Sequence, residues 1–65
     1  MNYFISYSTI EKGDQNLGTH DTTIFKSIEC HSDTTIRNIN DLINLAEKYI
    51  YDLNYTILFW RKFDE

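Results

Sequence analysis

Proline is absent from the 65-residue sequence, and glycine occurs only as Gly13 and Gly18. That excludes a Pro-rich or Gly/Ser-rich linker and fits a compact body of regular elements. One cysteine, Cys30, excludes an internal disulfide and points to a reducing compartment, or to a fold that needs no oxidation. Basic residues are scarce: six Lys and Arg stand against ten Asp and Glu, giving a net charge of −4, and no basic cluster exceeds the pair Arg61-Lys62. The basic stripe that grips a phosphate backbone is missing, so direct nucleic-acid binding is not expected. No apolar run approaches the ~20 residues that span a bilayer, so no membrane segment is expected. Residues 1–7 lack the basic and long apolar regions of a signal peptide, and the expected location is the cytoplasm.

What is abundant is aromatic: five Tyr, four Phe and Trp60, or 15% of the chain. Disordered chains are poor in such residues, so residues 1–65 read as one folded domain. A domain this short buries only about 60% of its unfolded surface and is marginal alone. With disulfides excluded, self-association is the leading source of extra stability, and a dimer is the favoured state.

Residues 2–10 alternate with period two: Tyr3, Ile5, Tyr7 and Thr9 on one face, Phe4, Ser6 and Ser8 on the other. A polar stretch, 11–20, follows and reads as a long loop. Residues 22–29 return to strand character, with Ile24 and Ile28 on one face and Phe25 on the other, and complete an antiparallel hairpin. Residues 30–37 extend that strand or lead into a helix. Ile36, Ile39, Leu42, Ile43, Ala46, Tyr49, Ile50 and Leu53 recur at spacings of three and four, which is one helix face. Asn38 is the expected N-cap, with Asp41 near the positive end of the helix dipole, and Asn54 the expected left-handed stop. Residues 55–63 form a last strand. Tyr55, Ile57 and Phe59 fall on one face, Leu58 and Trp60 on the other, a doubly apolar pattern expected of a central strand. The expectation is an α+β fold: a three-stranded antiparallel-type sheet in ββαβ order with one helix packed on one face.

A helix of about sixteen residues, ~24 Å long, covers one face of such a sheet and not both. If Ile57 and Phe59 face the helix, then Leu58, Trp60, Phe4 and Phe25 stand on the far face. Something must cover them: a second copy, a partner, or the chain's own segments at 11–20 or 30–35. Phe25, Leu58 and Trp60 are therefore candidate partner-binding residues.

Chemistry-bearing constellations are sparse. Cys30, His31 and His20 match neither the C-x₂₋₄-C nor the H-x₃₋₅-H spacing of structural zinc. Neighbours on a strand point to opposite faces, so His31 is badly placed to activate Cys30, although His20 could approach from the loop. Carboxylates are scattered over Glu11, Asp14, Asp21, Glu29, Asp33, Asp64 and Glu65, and the two glycines match no nucleotide-binding fingerprint. No catalytic residue, metal or cofactor is expected, and the chain does not read as an enzyme. Tyr3, Tyr7, Phe25 and Phe59 could imitate a base-stacking platform, but the charge has the wrong sign. Glu11, Asp14 and Asp21 bracket the first loop. They are either a solvated surface or an acidic mimic that occupies a basic groove, and they complete the candidate partner-binding set.

Phe4-Ile5-Ser6-Tyr7-Ser8 resembles the opening strand of TIR domains, but only over five residues and without the length or parallel sheet of that fold. The wider layout runs from Ile5-Ser6-Tyr7 through the loop with Gly13 and Gly18 and the helix opening Ile39-Asn40-Asp41-Leu42 to Ile57-Leu58-Phe59-Trp60-Arg61. It is similar to small phage and prophage accessory proteins of the anti-defence, anti-CRISPR-like kind. That resemblance implies an inhibitor that binds and blocks a host defence or nucleic-acid-handling protein in the host cytoplasm. The alternatives are a structural or regulatory homodimeric adaptor and a small-ligand-sequestering domain.

Overall fold

The computed structural model describes residues 1–63. Within them the chain forms β1 (Asn2–Glu11), a 3-10 turn (Gln15–Leu17), β2 (Thr22–His31), α1 (Ile39–Tyr49) and β3 (Tyr55–Phe63). The strands make one antiparallel sheet in the order β2-β1-β3, and α1 lies on one face of it. This is the expected α+β fold in ββαβ order.

Period-two alternation in β1 decides the inward face. Tyr3, Ile5, Tyr7 and Thr9 are all buried beneath the helix side, joined by Cys30 of β2 and by Leu42, Leu45, Ala46 and Ile50. Tyrosine hydroxyls then tie the layers at their edges. Tyr3 Oη accepts from the Ile36 amide at 3.0 Å, and Tyr49 Oη accepts from the His31 amide at 3.2 Å while donating to the His31 carbonyl at 3.1 Å. Thr9, the one buried polar residue of the described core, donates to the Asn54 carbonyl at 2.8 Å. Each of these groups reaches a partner that a purely apolar residue would leave unsatisfied.

The helix opens as its sequence predicts. Asn38 accepts from the Asp41 amide at 3.0 Å, and the Asp41 carboxylate reaches back past the cap to accept from the Arg37 amide at 3.1 Å. Its end comes earlier than expected. Ile50 leaves helical geometry with φ −102° and ψ 116°, turns inward and is buried. Leu53 is 97% exposed rather than on the packed face, and Asn54 is not left-handed, since no described residue other than glycine has positive φ. Tyr49-Ile50-Tyr51 is a run of aromatic and β-branched residues that lose side-chain freedom in a helix, so burying Ile50 as the chain turns costs little helix. Of residues 30–37, Cys30 and His31 complete β2 and the rest is a connecting loop.

Two expectations about β3 are corrected. It lies at the sheet edge, while β1 is central. It also carries a β-bulge. Tyr7 pairs with Ile57 but Ser6 pairs with Phe59, so Leu58 is an extra residue without a cross-strand partner. Partners across a ladder share a face. Phe59 opposite Ser6 therefore points away from the helix, and Trp60 opposite Ile5 points toward it. The Trp60 ring lies 6.0 Å from that of Tyr3. The doubly apolar pattern of β3 thus reflects a change of phase in mid-strand rather than burial on two sides.

Candidate protein-binding surface

The sheet face away from α1 is bare. Its register sets three central rows: Glu29–Phe4–Arg61, Ser27–Ser6–Phe59 and Phe25–Ser8–Thr56. Phe25 is 71% exposed, Phe59 54%, Leu58 52% and Ile10 57%, so neither the 11–20 loop nor the 32–38 segment covers them. Each is a large apolar side chain, and together they leave on the order of 400 Å² of apolar surface in water, as much as a monomer of ordinary size tolerates. Arg61 extends along this face with its guanidinium carbon 5.9 Å from the Phe4 ring centroid, a cation–π contact that partly shelters Phe4.

Of the expected residues on this face, the register places Phe25 and Phe4 there, leaves Leu58 exposed at the bulge, and does not place Trp60 there. Phe59, which alternation alone assigns to the helix side, takes its place. Tyr3 and Tyr7 are buried against α1 and cannot serve as base-stacking platforms.

Trp60 instead packs on Tyr3 on the helix side of the sheet, where a second apolar surface opens because α1 packs closer to β2 than to β3. A groove of about 340 Å³ runs between helix and strand, lined by Ile39, Ile43, Tyr55 and Ile57. Ile39 is 62% exposed there. Helical periodicity places Ile39 and Ile43 on the packed stripe, yet both border open space, because α1 sits nearer β2 than β3.

Glu11, Asp14 and Asp21 gather at the far end of the β1–β2 hairpin, but two of them have structural work. Asp14 accepts from the Asn16 amide at 2.9 Å and caps the 3-10 turn, and Asp21 accepts from the Gly13 amide at 3.0 Å. Glu11 pairs with Thr22 in the last rung of the ladder and is exposed. Asp64 and Glu65 lie outside the described residues.

Cys30 pairs with Tyr3 at the opposite end of β1 from the hairpin loop that holds His20. Ten residues of strand span about 30 Å, so His20 does not approach Cys30. The Cys30 thiol faces the core, where burial pushes its pKa up, whereas His31 is exposed, with Nδ1 3.1 Å from Asn2 Oδ1. Among the described residues no group of three or more His, Cys, Asp or Glu is placed to hold a metal. Tyr7 is also held above the usual tyrosine range. Burial is the main cause; the Asp52 carboxylate adds to it by repelling a phenolate and accepting the hydroxyl proton at 3.4 Å, and Lys26 opposes it. Lys26 and Asp52 are themselves 3.5 Å apart. Among the described residues no helix is long and apolar enough to cross a membrane.

No family model, curated protein or solved structure matches the chain. Function has to be read from these surfaces.

Proposed function

We propose that this chain is a non-enzymatic protein-binding domain that works through the bare face of its sheet. Within that class, it is an inhibitor of the phage type that covers a host defence or nucleic-acid-handling protein. One observation carries the first part: Phe25 and Phe59 stand more than half exposed on one sheet face, with Leu58 as exposed at the bulge next to Phe59, in a chain small enough to need every apolar contact it can make. The net charge of −4, the acidic hairpin end and a layout that resembles small anti-defence proteins support the second. A basic protein surface complements such a chain better than a phosphate backbone does.

Capture from host lysate with three baits tests both parts. The wild type is compared with Phe25→Ser/Phe59→Ser and with Glu11→Gln/Asp14→Asn/Asp21→Asn. The amide variants keep the acceptor oxygens that hold the loop while removing its charge. A partner bound by wild type and lost with the first variant supports the sheet-face reading. A partner indifferent to both variants overturns it. An acidic mimic also releases its partner as salt rises.

A further inference from the structure

We propose that the occupant of the bare sheet face is a second copy of this chain, packed sheet on sheet about a two-fold axis that runs along β1; the proposal rests on the reading of that face as a binding surface. Sheets that pack face to face stand about 10 Å apart with strands within about 30° of one another. A two-fold dimer of this kind is self-complementary, and its axis lies in the interface plane. That leaves two symmetric directions, along the strands or across them, and the cross-strand register distinguishes them.

With the axis along β1, each β2 lies over the partner's β3 at equal height. Glu29 then faces Arg61 of the other copy, and the symmetry makes the pair twice. In the next row Phe59 faces the small Ser27, and in the one after it Phe25 faces Thr56. On the axis β1 lies over β1, so Phe4 meets Phe4; to either side charge meets opposite charge, and large side chains meet small ones. With the axis across the strands, every strand lies over its own copy. Centring on the Phe4 row puts Arg61 on Arg61, and any other centre leaves both charges opposite neutral residues. Within one chain Glu29 and Arg61 flank Phe4 from two strands apart, roughly 10 Å between backbones, and the Arg61 guanidinium rests over the Phe4 ring instead of reaching Glu29. Neither forms an ion pair among the described residues.

Size sets the strength. Three strands about 4.8 Å apart and about 30 Å long give a footprint near 430 Å² per copy, or roughly 850 Å² for the pair, below the ~1,200 Å² of stable complexes. The dimer is therefore concentration-dependent, with a dissociation constant in the micromolar range or weaker. It leaves the groove beside Ile39 and Ile43 and the acidic hairpin ends facing outward.

Sedimentation equilibrium of the intact chain from about 1 μM to about 1 mM tests this, with Arg61→Glu, Glu29→Arg, the double charge swap and Phe59→Ser, all checked for fold by circular dichroism. The wild type is expected to pass from monomer to dimer. Each single charge change should raise the dissociation constant at least about tenfold, and the double swap should return it to within about threefold of wild type. Restoration by the second change cannot come from misfolding. Phe59→Ser should leave a monomer. A wild type that stays monomeric overturns the self-association, and so does a dimer indifferent to all four variants. In either case a partner captured by wild type and lost with Phe25→Ser/Phe59→Ser keeps the face as a binding surface, while capture indifferent to that variant removes both ideas.

Discussion

Trp60→Ala and Phe59→Ala, compared side by side, test the bulge that sorts the residues of β3 between the two faces. Trp60 is 39% exposed, and its ring packs on the fully buried Tyr3 with centroids 6.0 Å apart. A Trp side chain carries ~200 Å² or more, so burying about three-fifths of it at ~25 cal/mol per Å² contributes ~3 kcal/mol, and the ring pair adds up to ~1 kcal/mol. Phe59 is 54% exposed and belongs to the open face. The same arithmetic on a ring of ~170 Å² gives ~2 kcal/mol for its loss. Trp60→Ala should therefore cost ~1–2 kcal/mol more than Phe59→Ala, a large share of the ~3–10 kcal/mol expected for a domain of this length. Urea unfolding followed by far-ultraviolet circular dichroism measures the difference without needing the tryptophan as a probe. Dilute protein keeps association from adding to the Phe59 value. An unbulged strand would reverse the ranking, because Phe59 would then lie against the helix and Trp60 in water. A Phe59→Ala variant clearly less stable than Trp60→Ala would refute the register.

Alkaline pH should weaken the fold. Cys30 and Tyr7 both have raised pKa values when folded, so the unfolded chain releases their protons first, and stability that is complete below the ordinary thiol range is lost as pH rises through the folded values. The melting temperature should fall from about pH 8 to about pH 11, and Cys30→Ala should flatten the lower part of that slope; equal slopes would contradict the assignment for Cys30. Gly13→Ala should destabilise the hairpin, because a Cβ at that position would stand 2.5 Å from the His20 backbone. Thermal melts should show a loss of about 1–3 kcal/mol, whereas a neutral outcome would mean that the loop yields freely.

The fold class was readable because three signals agree with their tertiary roles. Tyr3, Ile5, Tyr7 and Thr9 alternate and are buried, Asn38 and Asp41 cap where they should, and Gly13 and Gly18 bracket the hairpin turn. Reading failed where the chain gives no local mark. Nothing in Tyr55-Thr56-Ile57-Leu58-Phe59-Trp60 betrays an extra residue, because either phase puts apolar side chains on both faces. Nothing but turn-tolerant geometry stops the helix at Tyr49, since no glycine or proline follows it. Of the candidate site, Phe25 and Leu58 were legible from alternation and the excess of apolar strand over a single helix. Phe59 became visible only through the bulge, and Asp14 and Asp21 revealed their loop-holding roles only through their hydrogen bonds.

The placement of β1 between its two neighbours carries a kinetic consequence. β1 leaves the ribosome before the two strands that assemble on it, and β3, which closes its second side, emerges after β2, with Tyr3 waiting for Lys62. Local turns can zip β1 to β2 early, but that two-stranded ribbon is barely stable by itself. Cooperative folding must await the return of the C-terminal segment across most of the chain, a distant closure that belongs with the slower, millisecond-scale class of small domains.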